Sequence, residues 1–281
     1  MKPSDKILIK DFRFGIELES NLGLQSVNNN LKFESGWTAH GEHCGSEIVS
    51  PILHGYVGLM SVRRQLRNLW KWKDKIGFRH CGLHVHIDIQ DFNLGQAKRL
   101  VLIASRFDET IFCLMHGCRW KNTYTRRCNY KEKSIKTIYS LYQLQELQAD
   151  GDRYAGLNLH AFSKHGTVEF RYAMGSADWQ KIYSLISLYL RMVGAAKLDI
   201  EIPETNPLGI LGPLKKTKKN LKILEKNKDA FFDFLQTKGY VRGCLEKMFT
   251  TNVFDTTSAN AMTSEQITEE KGKIKFSLKK D

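Results

Sequence analysis

The sequence predicts an α+β fold in which a curved, mainly antiparallel sheet carries helices on one face and leaves a concave polar face open. Two observations lead to this prediction. Several short segments alternate apolar and polar residues, as strands with one buried side do. Between them lie longer segments whose apolar residues recur at helical spacing, and such helices would cover the apolar side of the sheet.

The first strand is predicted at residues 12–20, where every second residue from Phe12 to Leu18 is apolar. Glu17 and Glu19 then lie side by side on the polar face. Two neighbouring carboxylates repel each other, and a hard divalent ion such as Mg²⁺ removes that penalty. A solvated edge strand without a ligand is the alternative interpretation.

The stretch after this strand is expected to be mostly irregular. Residues 21–32 are polar and rich in asparagine, which predicts a surface loop. Glu47–Ser50 predicts a short strand that ends at Pro51, because proline cannot continue a central ladder. His40 and His43 are expected to be loop residues and not ligands.

A helix is predicted at Val57–Ile76, followed by Gly77 at its end, because apolar residues recur at helical spacing there. The opposite side of this helix is basic. It could meet nucleic acid, but a solvated helix face explains the same pattern.

The strand Cys81–Asp88 comes next and is the most informative segment of the chain. Its apolar residues alternate with His84, His86 and Asp88, so the two imidazoles point the same way, about 7 Å apart along the strand. Gly82 just before them would let another backbone or a ligand approach closely.

A second long helix is predicted at Leu94–Met115. Residues 118–130 then form a loop in which arginines, Arg119 among them, alternate with aromatic residues, an arrangement that can hold a phosphate or a purine. The cysteines between positions 113 and 128 do not have zinc-binding spacing, so buried or free thiols are expected.

A short helix is predicted at Ser134–Gln148, followed by two strands, Arg153–Phe162 and Gly166–Tyr172, that form a hairpin. Glu169 and Arg171 share one face of the second strand. An ion pair across a sheet surface, of modest energetic worth, is the simplest account of these two residues taken alone.

Further helices are predicted at Asp178–Leu198, with Asp178 as the N-cap, and at Leu221–Leu235. The composition changes near residue 200, so we expect a catalytic domain at 1–200 and a Lys-rich, partly helical C-terminal extension at 201–281. Residues 252–281 are polar, and the end of this stretch is expected to be loose.

The composition limits the functional classes. With 281 residues, of which 42% are hydrophobic and 26% charged, the chain has the make-up of a globular protein. No apolar run approaches the roughly 18 residues of a membrane span, and the first residues lack the pattern of a signal peptide. Together with unpaired cysteine spacings, this predicts a cytoplasmic protein that does not bind membranes.

The formal net charge of +13 is spread along the chain, since residues 201–281 contain 15 Lys and Arg against 11 Asp and Glu. A positive field attracts polyanions, so a nucleic-acid partner is compatible with this charge. Many basic proteins bind no nucleic acid, and the charge alone is a weak indication.

The polar sides of four predicted strands carry compatible groups. Carboxylates with one or two imidazoles suit a site for one to three Mg²⁺ or Mn²⁺ ions, and arginines would neutralise phosphates bridged by such ions. The strand residues are Glu17, Glu19, Glu47, His84, His86, Glu169 and Arg171, with Arg119 and Arg153 as additional arginines.

Five segments in this order resemble the amidoligase family, the ATP-dependent carboxylate–amine ligases related to glutamine synthetase and glutamate–cysteine ligase. They are Phe-Gly-Ile-Glu-Leu-Glu (14–19), Gly-Ser-Glu-Ile-Val-Ser-Pro (45–51), Cys-Gly-Leu-His-Val-His-Ile-Asp (81–88), Arg-Tyr-Ala-Gly-Leu-Asn-Leu (153–159) and Gly-Thr-Val-Glu-Phe-Arg (166–171). The resemblance covers about residues 12–195. It implies a glutamine synthetase-like catalytic domain that uses ATP and Mg²⁺ or Mn²⁺.

The resemblance also implies roles for individual residues. His86 would lie near the ATP phosphates, and Arg171 would contact phosphate or substrate. Arg119 and Arg153 would be directed at phosphate. The residues expected to act in the reaction are Arg171, Glu47 and Arg119, and the implied metal ligands are Glu17, Glu19, Glu47, His84 and Glu169. One departure is that an Asp-Gly-Ser stretch found in many relatives is here shortened to Glu42-His43-Cys44, with Glu42 as the substitute carboxylate.

The expected reaction joins a carboxylate to an amine through an acyl phosphate, with an amino acid, a peptide or a macromolecule as acceptor. Two other functions stay open: a metal-dependent phosphodiesterase or other hydrolase that uses the same residues, and a non-catalytic nucleic-acid- or protein-binding module on a ligase scaffold. Small amidoligases occur in bacteria and their viruses, so the resemblance also leaves a phage origin open. The sequence does not predict an oligomeric state.

Overall fold

The computed structural model describes residues 12–42, 45–72, 76–78, 81–115, 119, 123–128, 130–147, 153–206, 208 and 217–254. In these residues the protein has an α+β fold built on one open sheet of seven strands. The strands are β1 (Arg13–Ser20), β2 (Thr38–Glu42), β3 (Gly45–Val49), β4 (Leu53–His54), β5 (Gly82–Asp88), β6 (Leu157–Asn158) and β7 (Thr167–Met174). The helices are α1 (Leu24–Asn30), α2 (Gly55–Trp70), α3 (Leu94–Arg106), α4 (Asp108–Leu114), α5 (Glu132–Lys136), α6 (Leu141–Glu146), α7 (His160–His165), α8 (Trp179–Lys197), α9 (Lys218–Phe234) and α10 (Gly239–Phe254).

The sheet has the order β2-β3-β1-β5-β7-β6, and β4 pairs with the start of β1. All of these pairs are antiparallel, which confirms the predicted α+β class and strand direction. The register decides which side chains meet. Glu19 lies opposite Glu47, and Glu17 lies opposite His84. One strand further, His86 lies opposite Glu169.

The apolar side of the sheet forms the core with the helices. Val85 and Phe170 on neighbouring strands are fully buried, and α8 packs against β5 and α3. The Phe170 ring stacks on Tyr189 of α8 at 4.4 Å between centroids. Burial of one such side chain stabilises the fold by about 1.5–3 kcal/mol, so this face fixes which side of each strand is left for polar residues.

Several predicted boundaries are wrong. The polar stretch 21–32 contains α1, which buries Val27. The helix expected to reach residue 76 ends at Trp70. The segment Leu94–Met115 forms two helices, because the chain leaves helical geometry at Phe107, whose buried ring stacks on Phe231 at 4.5 Å. Likewise, α5 and α6 replace the single short helix predicted after residue 134.

The predicted hairpin is also wrong. β6 has two residues, and α7 occupies the stretch expected to continue that strand. Gly166 ends α7 in the left-handed conformation at φ 67°, and a Cβ there would come within 2.2 Å of Gln90. Glycine is therefore required at this turn, and the chain runs strand–helix–strand.

The predicted helix after Asp178 is confirmed. The Asp178 carboxylate caps α8 by accepting hydrogen bonds from the Gln180 and Lys181 backbone N–H groups, at 2.8 and 3.4 Å. Such a cap satisfies N–H groups that have no partner within the helix.

Two helices follow α8. α9 confirms the helix predicted at 221–235, whereas α10 was not predicted. Arg191 of α8 donates to the backbone oxygens of Leu235 and Gln236, both at 3.1 Å. Asn252 of α10 donates to the Leu114 backbone oxygen at 2.9 Å. The domain division near residue 200 stays a prediction, and the polar stretch from residue 255 lies outside the described residues.

In the described part of the chain, no helix is both long and apolar enough to cross a membrane.

Candidate active site

His84 is the centre of a cluster on the polar face of the sheet. It is 3% exposed and lies on β5 between β1 and β7. Its Nδ1 atom is 3.2 Å from Glu17 Oε2 and 3.3 Å from Glu169 Oε1, while Nε2 is 3.6 Å from Glu19 Oε1. Glu47 Oε1 lies 4.0 Å from Nδ1. The structure thus brings four of the predicted carboxylates around one imidazole.

His86 extends the cluster along β5. Its Nε2 atom lies 3.1 Å from Glu17 Oε1 and 4.0 Å from Glu169 Oε1. The other ring nitrogen, Nδ1, is 3.3 Å from the Thr167 hydroxyl, so Thr167 positions the ring. Burial lowers the pKa of His86, but the hydrogen bond and charge of Glu17 and the charge of Glu169 outweigh it, and the pKa is raised.

Two glutamates of the cluster, Glu17 and Glu47, have opposite pKa shifts. Burial raises the pKa of Glu17, yet hydrogen bonds from His84 and His86 outweigh it and lower the pKa below its usual range. For Glu47, burial and the charges of Glu17 and Glu42 act in the same direction and raise the pKa to about 8. The cluster therefore holds more negative charge than its histidines compensate, as a cation site does.

Glu169 has both carboxylate oxygens fixed. Asn158 Nδ2 donates to Oε2 at 2.6 Å, and Arg171 Nη1 donates to Oε1. Asn158 is itself buried, and its side-chain oxygen accepts from the His160 backbone N–H at 2.9 Å. The Oε1 atom of Glu169 is thereby held toward the two histidines.

Gly82 has no side chain, so Glu19 and His84 can lie close to its backbone. Its backbone N–H donates to Glu19 Oε2 at 2.5 Å. A Cβ at this position would lie 2.6 Å from His84 Nε2 and 3.1 Å from Glu19 Oε2. The close approach expected at Gly82 from the sequence is therefore present.

Two groups of three residues offer ligand atoms that lie within 4.8 Å of one another: Glu17 with Glu47 and His84, and Glu17 with His86 and Glu169. Carboxylate oxygens with imidazole nitrogens suit Mg²⁺ or Mn²⁺, so the donor set fits the predicted ions. Glu17 belongs to both groups. From the sequence, His86 was expected near the ATP phosphates and not among the metal ligands. In the structure it belongs to one of the two candidate ligand groups.

The three predicted arginines occupy different places. Arg171 lies beside the cluster, with Nη1 3.5 Å from His84 Nδ1. Arg153 is exposed, and its pKa is raised by a hydrogen bond to the Tyr154 hydroxyl and by the charges of Tyr154, Glu169 and Glu42.

Arg119 does not join the cluster. It is 2% exposed, and its guanidinium donates to the backbone oxygens of Tyr172 at 3.1 Å and Arg171 at 2.7 Å and to the Thr125 hydroxyl. The sequence predicts that Arg119 is directed at phosphate and acts in the reaction. In the structure, its hydrogen bonds hold the backbone of β7.

Other sequence predictions can be placed as well. His40 lies in β2, not in a loop, and faces Glu47 in the strand register. Asp88 forms an ion pair with Arg13. Glu42, the substitute carboxylate, is exposed at the end of β2, and its charge helps to raise the Glu47 pKa. His43 lies outside the described residues.

The cysteines of the 113–128 region are buried where they are described. Cys128 Sγ accepts hydrogen bonds from the Leu157 backbone N–H at 3.0 Å and from the Tyr172 hydroxyl at 3.2 Å. Burial raises the pKa of Cys113. Cys118 lies outside the described residues.

Sequence reasoning missed Asn158 and Thr167 as site residues. Each lies on or beside a strand whose apolar neighbours face the core, so alternation places both on the polar face. Which carboxylate or imidazole each one contacts depends on the pairing of β6 with β7 and of β7 with β5, and the sequence does not state that pairing.

Fold and site together define the class of protein: an α+β protein whose open antiparallel sheet presents glutamates, histidines and an arginine as a candidate metal site. A family model described as "Putative amidoligase enzyme" matches residues 13–193. The chain therefore belongs to this amidoligase family, which points to a ligase.

Comparison with solved structures gives a weaker likeness. The chain is similar to a bifunctional glutathione synthetase from Pasteurella multocida, with 11% sequence identity and a TM-score of 0.45. The similarity covers 92% of this chain and 51% of the other, so the chain spans about half the length of that protein. No curated protein matches the chain.

Proposed function

We propose that this protein is an ATP- and Mg²⁺- or Mn²⁺-dependent ligase that forms an amide bond between a carboxylate and an amine, on a glutamine synthetase-like catalytic fold. The observation that carries the proposal is the cluster of four glutamates around His84 with Arg171 at its edge, on one face of the sheet. Membership of the amidoligase family supports it.

The residues of the cluster would hold the metal ions in two groups that share Glu17. When bound, the ions would neutralise the charge of the nucleotide phosphates. Glu19 borders the first group through its 3.6 Å approach to His84, and His86 would lie close to both ions and phosphate. Arg171 would contact the transferred phosphoryl group, and Arg153 would contact phosphate from the exposed side.

The chemistry explains why such a site suits a ligase. An oxygen of the substrate carboxylate attacks the γ-phosphorus of ATP, the bond to ADP breaks, and an acyl phosphate forms. The amine nitrogen then attacks the acyl carbon, phosphate leaves with the bonding electrons, and the nitrogen loses a proton. Arg171 would stabilise charge that develops on the phosphoryl oxygens, and the fixed strands would keep the groups in line.

The substrates and surroundings are also proposals. We infer an amino acid, a peptide or a macromolecule as the source of the amine or carboxylate, and the cytoplasm as the compartment. The charge of +13 makes a nucleic-acid acceptor compatible with the same chemistry.

The test is metal-dependent ADP release from ATP in the presence of candidate carboxylate–amine pairs. Glu17→Ala and Glu169→Ala are expected to abolish it while circular dichroism shows intact folding. Glu225→Ala, at an exposed position of α9, is the matched control and should keep full activity. Full activity in both cluster variants would exclude the proposal.

A second function is favoured by the shared Glu17. Two candidate metal groups that share one carboxylate also suit a phosphodiesterase or other hydrolase, in which two ions clamp the attacking and leaving oxygens. This function predicts metal-dependent cleavage of a phosphodiester probe such as bis(p-nitrophenyl) phosphate without ATP. The ligase proposal predicts none.

A further inference from the structure

The outward face of α2 carries aromatic and basic residues in turn. Tyr56, Arg63, Arg67 and Trp70 follow one another at intervals of seven, four and three positions, which places them on one side of a helix. Lys71 follows four positions after Arg67, at the end of the helix. These five residues are called the basic–aromatic face below. From Tyr56 to Trp70 it extends over about 21 Å, at 1.5 Å per residue.

The two rings of the basic–aromatic face are open to solvent. Tyr56 is 73% exposed and Trp70 is 43% exposed. The opposite side of α2 attaches the helix to the core through apolar residues such as Leu59, Val62 and Leu66, which are buried. A solvated helix face accounts for the basic residues, but it does not account for two large exposed rings among them.

The cations of this face have no carboxylate partners in the described part of the chain. No carboxylate oxygen there lies within 4.0 Å of a side-chain nitrogen of Arg63, Arg67 or Lys71. Arg64 of the same helix differs, because it forms an ion pair with Glu34 at 2.7 Å. The positive charge of the face therefore acts on anions outside the chain.

A second group of rings adjoins the basic–aromatic face. The guanidinium carbon of Arg63 lies 5.9 Å from the centroid of the Trp179 ring, at the start of α8. Trp179 is 5.1 Å from Tyr183, and Tyr183 is 6.2 Å from Tyr240 of α10, which is 52% exposed. The carboxylate of Asp178 in this region already caps α8. The alternation of cations and rings thus continues across three helices.

This surface lies on the helical side of the sheet. α2 and α10 both pack against α8, and α8 packs on β5. The glutamate–histidine cluster occupies the other, polar side of the same sheet. A molecule bound to the helices would therefore not displace metal ions or a nucleotide from the cluster.

We propose that the basic–aromatic face, with the adjoining rings of α8 and α10, binds a single-stranded nucleic acid. Arg63, Arg67 and Lys71 are spaced about 6 Å apart along the helix axis, so they can contact successive phosphates. The unpaired bases of a single strand stack on exposed aromatic rings. An acidic peptide has no bases to stack, and a duplex keeps its bases paired inside. The proposal goes beyond the ligase activity and uses none of its residues.

The test is fluorescence anisotropy of a labelled single-stranded DNA of about 20 nucleotides, titrated with the full chain at several salt concentrations. Arg67→Gln combined with Lys71→Gln should weaken binding. The slope of log affinity against log salt should also become less steep by about 1.4, because each phosphate contact of a single strand contributes roughly 0.7.

The rings are tested separately from the charges. Tyr56→Ala combined with Trp70→Ala should weaken binding about tenfold or more, because base stacking is lost. The salt slope should stay the same, since stacking on a neutral ring releases no counterions. This difference separates the two contributions to binding.

Two controls match these variants. Lys218→Gln combined with Lys222→Gln removes two charges from exposed positions of α9. Tyr139→Ala combined with Tyr142→Ala removes two exposed rings at and just before the start of α6. Both controls should bind the strand like the unmodified protein, and circular dichroism checks the folding of all four variants.

Selective loss of binding in both face variants supports the proposal. Equal loss in the matched controls, or loss in the charge variant alone, overturns it. Duplex DNA of the same sequence, polyglutamate and phosphatidylserine vesicles are the competing partners. If any of them binds as tightly as the single strand, with the same loss in the face variants, the proposed partner is wrong.

This proposal and the proposed ligase activity fail in different ways. Glu17→Gln should bind the strand like the unmodified protein, because Glu17 lies on the polar side of the sheet. Loss of strand binding in that variant would move the nucleic acid to the polar side and overturn the proposal. Absence of ADP release with every substrate pair would exclude the ligase and leave strand binding unchanged.

Discussion

The polar face of the sheet has two sides of opposite charge, separated by the histidines of β5. On the β1–β3 side lie Glu17, Glu19 and Glu47, and burial together with the neighbouring carboxylates raises the pKa of Glu47 to about 8. On the β7–β6 side, Arg171 and Arg153 lie around Tyr154. A phosphate chain on this face would meet metal ions in the two groups that share Glu17, one of which reaches Glu169 of β7, and guanidinium groups beyond them. Neither side alone provides this arrangement.

The two sides also differ in how they are built. The acidic side consists of alternating residues on long paired strands, so its geometry follows from strand register. The basic side relies on single anchors in short segments, such as buried Arg119 on the β7 backbone. We therefore expect changes on the acidic side to affect metal binding directly, and changes to the anchors of the basic side to act through stability and position.

Glu17→Gln should have the largest effect, because it removes a ligand from both candidate metal groups. We expect Mn²⁺ affinity, measured by calorimetry, to fall on the order of a hundredfold or more. Glu225→Gln on α9 serves as the control and should bind Mn²⁺ like the unmodified protein. Unchanged affinity in Glu17→Gln would mean that the acidic side is not a metal site.

Arg119→Met tests the anchor of the basic side. The substitution keeps much of the volume but leaves the backbone oxygens of Arg171 and Tyr172 without these donors, so the free energy of unfolding should fall by about 2 kcal/mol or more. Urea denaturation measures it. If stability is kept and nucleotide binding is lost, Arg119 contacts phosphate after all and its anchoring role is wrong.

Asn158→Ala tests the carboxylate where the two sides meet. Without the 2.6 Å hydrogen bond to Oε2, the Glu169 carboxylate keeps its contact with Arg171 but is less restrained against rotation away from the histidines. We expect Mn²⁺ affinity to fall about tenfold, as for loss of a residue that orients a ligand. In a double-mutant cycle with Glu169→Gln the effects should not add. Additive effects would show that Asn158 acts independently of Glu169.

The pH dependence of stability tests the acidic side without any substitution. Because the Glu47 pKa is raised in the folded protein, from 4.5 to about 8, the folded state binds the proton more tightly than the unfolded chain. The stability linked to this proton is present below pH 4.5 and lost as the pH rises toward 8. The metal-free protein should therefore melt a few degrees lower at pH 8.5 than at pH 5.5, since a change of 1 kcal/mol moves the melting temperature by about 2–4 °C in a chain of this size.

The raised pKa of His86 acts in the same direction, so Glu47→Gln should reduce this pH dependence and not remove it. Thermal melts in metal-free buffer at the two pH values provide the measurement. An equally steep dependence in Glu47→Gln would assign the effect to other groups.

The sequence predicts the fold class and the composition of the acidic side because alternation within one strand fixes which side chains share a face. It does not predict which groups meet across strands. Glu19 faces Glu47 and His86 faces Glu169 because of register, which depends on turns and on core packing.

Packing between residues far apart in sequence explains the other differences between the predicted and the observed structure. The helix break at Phe107 follows from its stacking on Phe231, which is far away in sequence. The arginine-rich loop predicts cations that can hold a phosphate. In the structure, Arg119 is buried and donates hydrogen bonds to the backbone of β7, whereas Arg126 is exposed. Both arginines lie in the same predicted loop among aromatic residues, so the difference appears only when the loop is paired with the sheet.

The two oxygens of Glu17 point to different partners, Oε2 to His84 at 3.2 Å and Oε1 to His86 at 3.1 Å. A single torsion of this side chain therefore sets the geometry of both metal groups at once. If both groups bind metal, occupancy of one would restrict that torsion and change the affinity of the other, so the two sites would be thermodynamically coupled. Titration of the protein with a divalent ion should accordingly deviate from the curve for two independent sites, in a direction set by whether the shared orientation suits both.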